Sequence, residues 1–215
     1  MKNNHMSYSR KNLSYSGKTV SYLGLTRISI FLILLLTSCA TTKTPRAVQN
    51  SLRPVYITNT KKITLLSPEN TATTFDGVQY FTGTFGNQSF SLLSYTEINE
   101  KGIALALMND FGTDMGNLFY DGTEAVLDSA FFPEKLPPEY IIAEIQNAYY
   151  DGEALKNLYE AARLRLEESA GEGSNLKIRR IYDGKKLVEE IAFSSGNVKI
   201  TNFLRGYSFE LVDAQ

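Results

Sequence analysis

The chain has 215 residues, 43% of them apolar, 21% charged and 12% aromatic, which suits one globular domain with a real core and leaves little room for two. Its 22 basic and 23 acidic residues nearly cancel, and residues 1–38 hold Lys2, Arg10, Lys11, Lys18 and Arg27 with no acid, so the remainder is acidic and unsuited to nucleic acid or an anionic bilayer as main partner. A single cysteine, Cys39, and a single histidine, His5, exclude an internal disulfide, a cysteine-and-histidine zinc site and, once residues 1–38 are removed, a hydrolase with a histidine base.

Ile28 to Leu36 is apolar save for Ser29 and follows a basic leader rich in Ser and Asn. A membrane-spanning helix needs about 20 apolar residues, so this shorter run reads as the core of a signal peptide, with Met1 or Met6 as the start. It ends in Leu36-Thr37-Ser38-Cys39: an aliphatic residue, two small ones, then cysteine. That ending resembles the lipobox of bacterial lipoprotein precursors. Small residues let a signal peptidase hold extended backbone, and the thiol is the nucleophile that takes the diacylglycerol. The resemblance implies cleavage before Cys39 and acylation of its sulfur and new amino group with palmitate-like chains. Two or more chains make membrane anchoring stable. Ala40, where an aspartate favours inner-membrane retention, implies an outer-membrane protein facing the periplasm. The expected organisation is a signal peptide over 1–38, a lipidated flexible tether over 39–60 and one β-rich domain over 61–215. Pro45 and Pro54 interrupt the tether, and Val55-Tyr56-Ile57 at its end has an edge strand as the alternative reading.

Past residue 60 the apolar pattern is short and of period two. It predicts strands over 62–66, 77–85, 88–96, 102–108, 116–120 and 125–127, punctuated by Gly86-Asn87, Asn99 to Gly102 and Asp121-Gly122. Pro137-Pro138 then opens a helix marked by Ile141, Ile142, Ile145, Ala148 and Tyr149. Asp151-Gly152 ends it, and a second helix carries Leu155, Leu158, Tyr159 and Ala162. Residues 164–168 either extend that helix or begin a strand. After Gly171-Glu172-Gly173 the strand pattern resumes over 175–182, 187–193, 198–203 and 207–212, with hairpin signatures at Asp183-Gly184 and Ser195-Gly196-Asn197. The predicted fold is mainly β (α+β): an antiparallel curved sheet or incomplete barrel with a two-helix lid.

Leu136-Pro137-Pro138-Glu139-Tyr140-Ile141-Ile142-Ala143-Glu144-Ile145-Gln146-Asn147-Ala148-Tyr149-Tyr150 and Asn202-Phe203-Leu204-Arg205-Gly206-Tyr207-Ser208-Phe209 carry a further likeness. With Gly112 to Gly116, Asn117 to Gly122 and the lipobox, they resemble an uncharacterised family of bacterial outer-membrane lipoproteins found beside aryl-polyene pigment genes. That family is similar in outline to the LolA/LolB lipoprotein carriers. The resemblance covers about residues 75–212 and implies an apolar cavity able to hold acyl chains; it implies no activity. One departure is visible: the family's helix ends in a Trp-Pro-like pair, whereas here Tyr149-Tyr150 precedes Asp151-Gly152.

Alternation places Phe81 with Phe85, Phe90 with Leu92, and Ile103 with Leu105 and Leu107 on common strand faces. These residues, with Ile141, Ile145 and Tyr149 on the helix, are the candidate cavity; a packed core is the plainer reading of the same pattern. Asn109, Asp110, Asp114 and Asn117 lack calcium-loop spacing and read as turn formers. Asp110 with Asp114, and Glu167 with Glu168, read as solvated charges. Lys177, Arg179, Arg180, Lys185 and Lys186 read as a charged edge that resists strand addition, with lipid phosphate or an acidic partner as the alternative. Arg205 is expected at a turn, pairing with a carboxylate or facing a headgroup. No phosphate loop or dinucleotide fingerprint is present. The expected function is a non-enzymatic, monomeric carrier of a lipid or acylated protein, needing no metal or cofactor; the alternative is a module that docks an envelope assembly.

Overall fold

The computed structural model describes residues 52–129, 131–133, 136–171 and 177–214. The expected signal peptide, the lipobox with Cys39 and the tether up to Ser51 lie outside the described residues, as does the Glu172-Gly173 break.

Two strand sets alternate with the helical stretch. Strands β1 (Val55–Tyr56) and β2 (Lys62–Ile63) form a small hairpin. A first meander follows: β3 (Phe75–Phe85), β4 (Gln88–Asn99), β5 (Gly102–Met108), β6 (Asp114–Tyr120) and β7 (Ala125–Asp128). Helices α1 (Pro138–Tyr149) and α2 (Gly152–Ala161) come next. The second meander is β8 (Arg165–Ala170), β9 (Lys177–Asp183), β10 (Lys186–Ser194), β11 (Asn197–Asn202) and β12 (Tyr207–Asp213). All but β1 and β2 belong to one antiparallel 10-stranded sheet in the order β7-β6-β5-β4-β3-β12-β11-β10-β9-β8. The meanders meet at the β3–β12 seam, where Phe81 lies opposite Leu211 and Gly83 opposite Phe209. Among the described residues β7 and β8 are unpaired edges, so the sheet is open and no barrel closes. The helices carry the chain from one edge to the other.

Alternation explains one buried face. Phe90, Gly83, Phe209, Ile200, Ile191, Arg179 and Glu168 form a row across seven strands, and Tyr207, Asn202, Glu189, Ile181 and Leu166 form the next. Phe81, Leu92, Ile98, Ile103, Leu105, Leu107, Leu118 and Tyr120 extend the same face on the other side of the seam. Helix α1 starts with Pro138 in its first turn, where a missing N–H costs nothing, and gives way at Tyr150 to extended backbone. Asp151 then caps α2, its Oδ1 accepting from Ala154 N at 2.9 Å. Arg163, at φ 60°, takes the left-handed conformation that stops α2, and residues 165–170 go on as a strand.

Two expectations change here. The strand read over 62–66 stops at Ile63, because the backbone of Leu66 pairs with a side chain: its N–H donates to Gln146 Oε1 at 3.0 Å and its carbonyl accepts from Gln146 Nε2 at 2.8 Å. Residues 55–58, read as the end of the tether, pack into the body, with Val55 and Ile57 buried.

Candidate functional site

Helix α1 lies over the buried sheet face. Between them runs an apolar crevice lined by Phe81, Ile98, Leu105, Ile141, Ile145 and Phe209 among others, with Glu144 its one ionisable wall residue apart from the Tyr149 phenol. Its volume is about 30 Å³. A water requires about 10–15 Å³ on this measure, whereas small-molecule pockets run to about 300–1,000 Å³. The crevice as it stands therefore holds water-sized occupants only. At one end an aromatic cluster joins Phe81, Phe85, Phe90, Phe131, Phe132, Tyr207 and Phe209, with ring centroids such as Phe90–Phe131 at 5.1 Å and Tyr207–Phe209 at 5.0 Å.

From Ile142 to Tyr149 every residue of α1 is buried, not just one stripe. The segment before β3 covers its back: Arg53 N donates to Glu139 Oε1 at 2.9 Å, and Ala72 N to the Tyr149 carbonyl at 3.0 Å. Together α1 and this segment make a second layer over the sheet. Helix α2 packs beside β8 and lines no part of the crevice, so one helix, not two, covers it.

Two carboxyls meet across the layer boundary. Glu144 on α1 is 9% exposed and Glu189 on β10 is 1% exposed. Glu189 accepts from Asn147 Nδ2 at 2.8 Å and from Asn202 Nδ2 at 2.9 Å, so both its oxygens are engaged. Tyr207 donates to Glu144 Oε1, and Asn202 Nδ2 also reaches the Tyr207 hydroxyl at 3.3 Å. Glu144 Oε2 is buried with no donor among the described residues. A proton on Glu144 removes the uncompensated charge and gives its carboxyl a donor beside the neighbouring carboxyl of Glu189. Burial, then the charge of Glu189, push the Glu144 carboxyl well above the ordinary range. Burial also raises Glu189, against hydrogen bonds from Asn147, Glu144 and Asn202. Burial raises the Tyr207 and Tyr159 phenols, so both remain neutral donors.

A second polar group props this one. Arg179 on β9 is 3% exposed and donates to Glu168 and, at 2.7 Å, to the Asn147 carbonyl; Tyr159 donates to Asn147 Oδ1 at 2.7 Å. Asn147 is thus held from α2 and β9 while it holds Glu189. Burial alone lifts the Glu168 carboxyl, but hydrogen bonds from Lys177 and Arg179 outweigh it and hold it below the usual value.

Of the predicted cavity residues, Phe81, Leu105, Ile141, Ile145 and Tyr149 line the crevice. Leu92, Ile103 and Leu107 are buried core outside it. Phe85, 42% exposed at the end of β3, and Phe90 belong to the aromatic cluster. The expected charged edge is not an edge: Lys177, Arg179 and Arg180 lie on β9, which is paired with β8 on one side and β10 on the other, and alternation with Ile181 turns Arg179 to the buried face. Glu168 is likewise an ion-pair partner of Arg179 and Lys177 rather than a solvated charge. Among the described residues Arg205 pairs with no carboxylate directly: it donates to the Tyr56 carbonyl, and its guanidinium lies 5.6 Å from the Tyr140 ring centre. Asn109 Oδ1 accepts from Phe111 N and Thr113 N, and Asp114 Oδ1 from Gly116 N, so these side chains hold turns. Glu144 and Glu189 were absent from the expected site. Both carried a signal: Glu144 falls within the apolar stripe of α1, and Glu189 alternates in phase with Ile191 and Phe193.

Fold and site together define an open antiparallel sheet covered by a buried helix, with an apolar crevice and a carboxyl pair between them. Residues 77–215 match the model of the DUF3261 family, described as proteins of unknown function, and the chain belongs to that family. No curated protein matches it. Among the described residues no helix is long and apolar enough to cross a membrane.

Proposed function

We infer that this protein is a lipoprotein acylated on Cys39 and held at the outer membrane facing the periplasm, whose β-rich body takes up the hydrocarbon of a lipid or acylated polypeptide between α1 and the sheet. Support comes from the lipobox, from the likeness in outline to the LolA/LolB carriers and, above all, from one observation: the crevice under α1 is walled by hydrocarbon. Such a wall favours an acyl chain through burial, at about 25 cal/mol per Å² before the costs of association. Because the crevice has a volume of only about 30 Å³, uptake requires the α1 layer to move from the sheet. No chemistry on the ligand is needed, and none of the carboxyls is proposed as catalytic.

The test is photocrosslinking with a diazirine-bearing fatty acid added to the full-length chain in mild detergent. Crosslinks should concentrate on peptides containing Leu105, Ile141 and Ile145, and a folded Leu105→Asp variant should lose them. Labelling spread over the outside of the sheet contradicts uptake under α1.

A second reading draws on that outside face. Val78, Tyr80, Tyr95, Phe119 and Val126 stand between 39% and 48% exposed on neighbouring strands, which suits a module that docks an envelope assembly while its interior stays filled. Competition decides between the two: substitution of Tyr80 and Tyr95 by Ser abolishes the interaction on this reading and leaves acyl-chain uptake intact on the first.

A further inference from the structure

Glu144 and Glu189 belong to different layers. One rides on α1, the other on β10, and the hydrogen-bonded run from Glu144 through Tyr207 and Asn202 to Glu189 crosses the boundary that must part if the crevice is to open. Both Glu189 oxygens are taken by Asn147 and Asn202, and Glu144 Oε1 is taken by Tyr207, so within the pair Glu144 Oε2 is the oxygen left without a protein donor among the described residues.

We propose that the proton shared by Glu144 and Glu189 is a latch between the helix layer and the sheet, closed while the pair holds it and released when it is lost. With the proton in place the pair carries one negative charge and one strong hydrogen bond. Without it, two buried carboxylates, one on each layer, carry like charges at the boundary, an arrangement that separation or hydration relieves. Moving α1 off the sheet relieves both the repulsion and the desolvation, and it widens the hydrocarbon crevice that Glu144 itself borders.

The groups facing the pair from every side set the direction. Tyr207 on β12 and Tyr159 on α2 are neutral and cannot compensate a second negative charge. Asn202 on β11 and Asn147 on α1 are neutral amides that already donate to Glu189. Arg205, in the turn before β12, is the cation that acts on both carboxyls, and its guanidinium is engaged with the Tyr56 carbonyl and the Tyr140 ring. Arg179 on β9 is matched by Glu168 on β8, which Lys177 also binds. One cation serves a pair that would carry two charges, so alkaline conditions open the layer and acid closes it.

The latch deepens the uptake reading and rests on it only for the purpose of opening. It is tested without any ligand, by hydrogen exchange of the full-length chain followed from about pH 6 to about pH 9, each amide rate divided by its intrinsic rate at that pH. Opening of the amides in 142–149 should rise with pH, approaching tenfold per unit for a single released proton. Glu144→Gln, which keeps the hydrogen bond and cannot ionise, should be flat within about twofold over the same range. Glu189→Gln removes the second charge but leaves Glu144 buried, so it should weaken the rise without abolishing it, and it serves if the first variant does not fold. Normalised exchange in folded wild type that does not change with pH overturns the proposal, as does a variant that keeps the wild-type rise. An apolar fluorophore separates this from the uptake reading. Opening driven by pH without fluorophore uptake removes uptake and leaves the latch, whereas uptake with protection independent of pH removes the latch alone.

Discussion

At the scale of single residues the chemistry is concentrated in one buried carboxyl pair. A carboxyl whose affinity for its proton is raised on folding stabilises the fold fully below the unfolded value of about 4.3, and that contribution is lost as pH climbs through the folded value. Glu144 and Glu189 are both of this kind. Glu168 is of the opposite kind, so its contribution is present above the unfolded value and lost as pH falls through its lowered one. Stability should therefore peak in mildly acidic solution and decline as pH rises. In thermal melts Glu144→Gln should equal or exceed wild type near pH 8 and show a weaker dependence between about pH 5 and pH 8; a variant that melts well below wild type at every pH contradicts the assignment. The two glutamates were legible only in part. Periodicity puts Glu144 beside Ile141 and Ile145, and alternation puts Glu189 with Ile191, but acid residues at core positions read as pattern noise until their partners are seen. Those partners, Asn147, Asn202 and Tyr207, come from three separate elements, and no spacing along the chain brings them together.

At the scale of elements α1 behaves as a core helix bolted on both sides. Gln146 satisfies both backbone groups of Leu66, and it is almost fully buried. Gln146→Ala should cost about 2 kcal/mol in urea denaturation by stranding a buried donor and acceptor; a change under about 0.5 kcal/mol means water replaces the amide there. Gly83 answers a packing need on β3: a Cβ at that position would come within 2.4 Å of the Phe90 ring and 3.0 Å of Phe209. Gly83→Ala should therefore destabilise by about 1–3 kcal/mol and disturb the aromatic cluster, visible as altered near-ultraviolet circular dichroism. Most strands and both helices were legible, because period two and the Pro137-Pro138, Asp151 and Asp183-Gly184 punctuation are local signals. The failure over 64–66 was not local: a side chain from α1, eighty residues away, takes the backbone that a strand would have used.

At the scale of the whole molecule the two meanders share one sheet through the β3–β12 seam, and the helices bridge its far edges over a common core. Residues from both halves meet in the crevice, so neither half has a complete core of its own. Urea unfolding followed by backbone and by tyrosine signals should give coincident transitions, and separated midpoints would show that the halves unfold independently. The open sheet and single covering helix were only coarsely legible, since alternation identifies strands without saying whether their outer edges meet. The filled interior was legible only as the plainer of two readings, because packed and hollow interiors share one sequence pattern.

On the uptake reading this interior opens to hydrocarbon. This opening is tested most directly by native mass spectrometry of the full-length chain, released from mild detergent after production in a lipid-containing host and again after addition of a long-chain fatty acid at about pH 8. Uptake predicts a one-to-one complex beyond any acyl groups carried covalently, diminished in Leu105→Asp and, by the latch, in Glu144→Gln. A stable chain that binds nothing in either preparation contradicts it and leaves the exposed outer face of the sheet as the working surface.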